Sequence, residues 1–287
     1  MGLISNILFP VDFSPSCVAM SASVKRAAAI FSARVSLIHV YDPKSYSGVE
    51  EYVRGPVEIA EEHRDVARRR LDNFLHHEFP PAHCPRILES GDAAAKITET
   101  ARRGFQLIMM PTHAGVFRRA LLGSTTAKVL NDADCPVATS RHAETISPRP
   151  MEHREWVCAI ALTGDSERVL RMAHQFSAEA GAHLRILHAI QSADPGLPVQ
   201  LDLEEHIQSA ERRQAREQIE ALKRKVGSNA PARIAVGPLK EALLEAIRRS
   251  DADALIIGRS PQPGAMGRLR DLTYSMVRDS PVPVISV

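Results

Sequence analysis

The chain repeats itself, and that repeat limits its fold more than any other feature. Ile7-Leu8-Phe9-Pro10-Val11-Asp12 answers to Trp156-Val157-Cys158-Ala159-Ile160-Ala161, and Arg34-Val35-Ser36-Leu37-Ile38-His39 answers to His183-Leu184-Arg185-Ile186-Leu187-His188. Further along, Gln106-Leu107-Ile108-Met109-Met110 answers to Ala254-Leu255-Ile256-Ile257-Gly258, and Cys135-Pro136-Val137 to Val282-Pro283-Val284. The offset holds at about 148 residues, the size of one ordinary domain. Two copies of one domain follow, over 1–141 and 156–287. A linker at 142–155 joins them, with Pro148 and Pro150 among polar residues. The copies have diverged where chemistry would sit: Asp12 in the first is Ala161 in the second.

Within each copy, short apolar runs alternate with helical periodicity, the pattern of βαβ units and a parallel sheet. In the first copy the runs predict strands near 6–11, 35–41, 85–90, 106–111 and 136–140, with helices near 15–32, 58–78, 92–103 and 124–131. In the second they predict strands near 157–161, 183–189, 232–236, 254–258 and 282–287, with helices near 166–180, 203–226, 239–250 and 273–279. Ser14-Pro15 supplies a cap and a first-turn proline for the first helix. Behind the charged cluster Arg68-Arg69-Arg70, apolar Ile59, Val66, Leu71, Phe74 and Leu75 recur at helical spacing, so the charges read as a solvated face.

Composition removes several function classes. A net charge of +2 and 5% aromatic residues give neither the basic surface nor the stacking platforms of a nucleic-acid binder. The four cysteines form no CxxC pair, which fits free thiols in a reducing cytoplasm. The opening segment lacks a basic n-region and reads as the approach to a first strand, and no apolar run reaches membrane-spanning length.

A doubly wound sheet binds ligands beyond the carboxyl ends of its strands, where strand order reverses. Asp12 ends the first strand. The loop Pro111-Thr112-His113-Ala114-Gly115 leaves the fourth, and Gly123-Ser124-Thr125-Thr126 opens the next helix. A glycine at a helix start lets backbone N–H groups approach an anion, the helix dipole favours negative charge there, and the three hydroxyls add donors. A carboxylate facing an anion-binding helix start suits a nucleotide.

These residues resemble the universal stress protein family in its tandem two-domain form. The resemblance rests on Phe9-Pro10-Val11-Asp12-Phe13-Ser14, Ile38-His39-Val40, Met110-Pro111-Thr112-His113, Leu121-Leu122-Gly123-Ser124 followed by Ala127-Lys128-Val129-Leu130, and Cys135-Pro136-Val137. It implies α/β domains whose five-stranded parallel sheets run in the order 3-2-1-4-5, flanked by helices and forming a pseudo-dimer within one chain, with a homodimer also allowed. It implies an adenine nucleotide, ATP or AMP with or without Mg, and a nucleotide-responsive regulator or scaffold rather than an enzyme. An unidentified protein partner is compatible with that role. By the same resemblance Pro10, Asp12 and Val40 line the nucleoside end, while Met110, His113, Gly123, Ser124, Thr125 and Thr126 face the phosphates.

The ATP-binding branch carries G-x2-G-x9-G-[ST]. Here Pro111 stands at the first glycine, Ala114 or Gly115 at the second, and Gly123-Ser124 is kept. Pro111 lacks an N–H, which weakens close approach upstream. Arg118 and Arg119 are more simply solvated loop residues than phosphate ligands. In the second copy Ala161 replaces the carboxylate, and Gly267-Arg268-Leu269-Arg270 replaces the helix start, with Arg259 the other cation nearby. That copy reads as degenerate, without a nucleotide. Two other readings stay open: an interaction protein with both pockets vestigial, and a slow ATPase for which His113 is the available base. His76, His77, His83 and Cys84 match no standard zinc spacing, and no P-loop or dinucleotide fingerprint occurs.

Overall fold

The structure, a computed structural model, describes residues 2–42, 56–112, 122–140, 154–191, 201–259 and 271–287. The chain forms two compact units, 1–148 and 149–287. Unit one holds β1 (Asn6–Pro10), α1 (Pro15–Phe31), β2 (Arg34–Tyr41), α2 (Pro56–Asn73), β3 (Arg86–Ser90), α3 (Ala93–Ala101), β4 (Leu107–Pro111), α4 (Ser124–Asp132) and β5 (Val137–Ser140). Its strands run in the order β3-β2-β1-β4-β5, every pair parallel.

Unit two repeats this with β6 (Glu155–Ala159), α5 (Ser166–Ala180), β7 (His183–Ile190), α6 (Leu201–Val226), β8 (Ala232–Val236), α7 (Leu239–Arg249), β9 (Ala254–Ile257), α8 (Asp271–Asp279) and β10 (Val284–Ser286). Its order is β8-β7-β6-β9-β10, again parallel. Both are the expected 3-2-1-4-5 sheet. Ile7, Leu8 and Phe9 of β1 and Leu255 and Ile256 of β9 have no exposed surface. That is the condition of a central parallel strand covered on both faces, and it is why these runs are continuously apolar. Strand order reverses between β1 and β4, and between β6 and β9, so a crevice opens at their carboxyl ends in each unit.

Three departures from expectation have local causes. The α2 helix stops at Asn73 rather than near 78, with Leu75 in the left-handed region at φ 50°. There the Arg86 guanidinium donates to the carbonyls of Phe74 (3.1 Å) and Phe79 (2.6 Å), satisfying backbone groups that a longer helix would have used. Within α2 the inward face runs through Ala67 and Leu71, whereas Val66 points outward at 42% exposure. The β6 strand starts at Glu155, two residues before the expected start at 157, because this charged residue is anchored. It accepts from Arg185 Nε (2.8 Å) and His183 Nδ1 (2.9 Å) on the neighbouring strand. Burial opposes its ionisation, but those two hydrogen bonds outweigh it and hold the carboxyl below its ordinary value.

The third departure is a one-residue offset in how the fourth strands of the two copies correspond. Ile7 lies opposite Leu107, and Trp156 lies opposite Ala254. Leu107 is therefore the counterpart of Ala254, and Gly258 corresponds to Pro111 rather than to Met110. Matching hydrogen bonds agree: Thr126 Oγ1 donates to the Pro111 carbonyl (3.0 Å) and Thr273 Oγ1 to the Gly258 carbonyl (3.4 Å).

Candidate functional site

The first wall of the unit-one cleft is the turn after β1. Val11 N–H still reaches the Ile38 carbonyl (2.8 Å), and the Val11 carbonyl accepts from His39 Nδ1 at 2.8 Å. A carbonyl only accepts, so Nδ1 carries the proton. Burial, the first cause, lowers the His39 pKa and keeps the ring neutral at pH 7. Phe13 then takes a left-handed conformation at φ 65°, a cost of about 1–2 kcal/mol for a non-glycine residue. Its ring rests on His39 (4.3 Å between centroids) and Phe74 (5.2 Å), with the Arg70 guanidinium 4.5 Å from its centre. The reversal turns Asp12 away from the strand.

Asp12 is exposed and fastened through one oxygen: Oδ1 accepts from Ser14 N (3.0 Å) and from the Cys17 thiol (3.1 Å). Ser14 in turn caps α1 by accepting from Cys17 N. Burial and the Asp12 charge push the Cys17 thiol up to about 12, so it remains a donor at neutral pH.

The opposite wall is the start of α4. Gly123 is its N-cap, with extended backbone (φ −60°, ψ 141°) and no side-chain cap bond, and the first turn carries no acidic residue. The Gly123 N–H donates to the Thr112 carbonyl at 2.8 Å, which sets the helix against the end of β4. The first N–H groups of such a helix lack intrahelical partners. One expectation needs correction: the Thr126 hydroxyl is buried and donates to Pro111, so two donor hydroxyls remain at this end, Ser124 and Thr125.

Between these walls lies a cleft of about 360 Å³. Pro10, Asp12, Val40, Met110, Gly123, Ser124, Thr125 and Thr126 all line it. His113, Arg118 and Arg119 lie outside the described residues. Sequence reasoning missed Cys17, His39, Ala93 and Ile97, which also face the cleft. The Ala93 and Ile97 spacing was readable as the inward stripe of a helix capped by Asp92, whose carboxylate accepts from Ala95 N at 2.9 Å. The contact of Cys17 with Asp12 had no comparable signal.

The sequence pattern of the universal stress protein family matches residues 4–141 and again residues 154–287. The chain belongs to the universal stress protein family. Among solved structures it is similar to a universal stress protein from Archaeoglobus fulgidus DSM 4304 at 18% identity and a TM-score of 0.67, covering 98% of this chain and 97% of that one. It is also similar to a functionally unknown protein of Pseudomonas aeruginosa PAO1 at 16% identity and a TM-score of 0.63, covering 99% and 92%. At such identities the likeness is one of fold. No curated protein matches the chain. Among the described residues no helix is long and apolar enough to cross a membrane.

The second domain of this universal stress protein has its own cleft, of about 350 Å³, in the equivalent place. Its turn is built on the same plan. Leu162 is left-handed at φ 55°, Ile160 N–H reaches the Leu187 carbonyl (2.9 Å), and His188 Nδ1 donates to the Ile160 carbonyl (2.9 Å). Ala161 offers no carboxylate to the turn, and Ser166 compensates: its Oγ accepts from Thr163 N at 2.9 Å. The carboxylate was lost without leaving that N–H unpaired. Gly258 stays glycine for a packing reason. A Cβ there would come within 2.6 Å of Val169 Cγ2 on α5.

Proposed function

We propose that the first domain binds an adenine nucleotide, ATP or AMP with or without Mg, and that the protein acts in a stress response as a nucleotide-responsive regulator or scaffold. The observation that carries this reading is the pairing, across one cleft, of the anchored Asp12 carboxylate with the uncapped start of α4. Asp12 spends Oδ1 on its own turn, and Oδ2 would accept from an amine or ribose hydroxyl at the nucleoside end. Pro10 and Val40 would pack against the base. The α4 N–H groups and the Ser124 and Thr125 hydroxyls would hold phosphate oxygens, helped by the helix dipole. A volume of about 360 Å³ falls within the range of small-molecule sites. Mg²⁺ would arrive held by the phosphates, its usual mode.

Calorimetry with ATP and AMP tests this reading. Asp12→Ala is expected to weaken binding tenfold or more, about 1.5–3 kcal/mol for a charged hydrogen-bond partner. Gly123→Val is expected to block it by placing a branched side chain at the phosphate end. Pro111→Gly restores an N–H at the strand end and is expected to tighten binding severalfold. Absence of heat from wild-type protein at millimolar ATP would overturn the proposal. The missing Pro111 N–H favours the second reading in that event, a scaffold with a vestigial pocket.

A further inference from the structure

We propose that the open edge of the second domain docks an extended, acidic segment of a partner protein, which adds to the sheet as a further strand beside β8. In that domain β8 is the last strand of the order and pairs with β7 alone. Ile186 N–H reaches the Pro231 carbonyl (2.8 Å), and Gly237 N–H reaches the Ile190 carbonyl (3.1 Å). In a parallel ladder anchored this way, Arg233 and Ala235 turn their N–H and carbonyl groups toward β7. Ala232 and Ile234 therefore turn theirs outward. Such an edge is a template for strand addition.

The first domain shows the equivalent edge closed. Leu37 pairs with Arg86 as Ile186 pairs with Ala232, so Arg86 and Ala232 hold the same place. The Arg86 guanidinium reaches across to the Phe74 and Phe79 carbonyls beyond α2, and Arg68 Nη1 donates to the outward Arg86 carbonyl at 3.2 Å. Ala232 has no side chain to reach across, and a groove of about 490 Å³ lies between α6 and β8. Its lining falls wholly within the described residues, roughly 16 Å along α6 from Leu201. Arginines face it from both sides: Arg212 and Arg216 on α6, and Arg233 on β8. All three are exposed, and among the described residues no acid pairs with any of them. Glu220, the acid of the lining, is taken by Lys223 Nζ at 2.8 Å. Arg212 and Arg216 stand about 6 Å apart along the helix, close to the roughly 6.6 Å between alternate side chains of a strand. Carboxylates at alternate positions of an added strand match these arginines, whose paired donors suit such groups. A second copy pairing through its own β8 would instead set arginine against arginine.

This inference does not depend on nucleotide binding in either cleft. The test titrates the full chain into a short fluorescein-labelled peptide of alternating glutamate and threonine and reads anisotropy. Saturable binding is expected, with none for a peptide of alternating lysine and threonine. Replacing the arginines together, Arg212→Gln, Arg216→Gln and Arg233→Gln, is expected to weaken binding about tenfold or more. These positions are exposed, so the variant should fold. Ile234→Pro is expected to weaken binding severalfold at unchanged charge, because it removes an outward N–H and spares the ladder to β7. No saturable change, equal affinity in either variant, or tighter binding of an oligodeoxynucleotide of equal charge would each overturn the inference.

Discussion

At the scale of single residues, the two copies serve as controls for one another. Ser32 and Gly181 close equivalent helices, α1 and α5, in the left-handed region at φ 50° and 60°. Glycine enters that region without a Cβ penalty, and serine does not. Ser32→Gly is therefore expected to stabilise the protein by about 0.5–1 kcal/mol, read as a shift in the urea midpoint. A Cβ on Gly181 would meet nothing nearer than Arg154 at 3.5 Å, so Gly181→Ala isolates the backbone cost. It is expected to destabilise by about 1 kcal/mol. An unchanged midpoint in both variants would mean that neither helix end depends on this conformation. The pairs Asp12–Cys17 and Ala161–Ser166 show the same logic in polar form. Each copy satisfies the N–H two residues after the Asp12 or Ala161 position, one with a carboxylate and the other with a hydroxyl.

At the scale of elements, much of the fold was legible because parallel strands buried on both faces are continuous apolar runs, and caps such as Ser14 and Asp92 mark helix starts. What was not legible depended on distant partners. No local signal told that Arg86 would end α2, or that Glu155 would open β6 through bonds to β7. The shift that pairs Gly258 with Pro111 was hidden because an apolar run slides against another without penalty to the pattern. Of the site, Asp12 and the Gly123 helix start were readable as residue types at strand and helix ends. The commitment of Thr126 to Pro111 and of Cys17 to Asp12 needed the packed structure.

Burial inside these elements also sets a response to alkali. Desolvation pushes the thiols of Cys17 in α1 and Cys158 in β6 up to about 12 from 9.0. A folded pKa above the unfolded one contributes stability that is whole below about pH 9 and is lost as pH rises toward about 12. By about pH 10.5 each thiol is expected to cost about 2 kcal/mol. The urea midpoint should fall over this interval in wild-type protein and fall less steeply in Cys158→Ala. Equal slopes would show that the Cys158 thiol is not buried as described.

At the scale of the whole chain, duplication has produced two clefts of similar size and unlike chemistry, so ligand stoichiometry becomes the deciding quantity. If the carboxylate alone made the first domain a nucleotide site, Ala161→Asp would create a second one. The geometry argues otherwise. In the second domain α8 begins with Asp271 where α4 has Ser124. Leu272 then replaces the Thr125 hydroxyl, and Leu239 and Leu243 of α7 stand where α3 has Ala93 and Ile97. Phosphates would meet hydrocarbon at the point where the first domain offers the Thr125 hydroxyl. Wild-type protein is therefore expected to bind one ATP per chain by calorimetry, and Ala161→Asp is expected to leave that number at one. Protein purified with nucleotide, then denatured and chromatographed, should release no more than one equivalent. A rise to two equivalents in Ala161→Asp would show that the helix start contributes little. The assignment of the phosphate end to α4 in the first domain would fall with it.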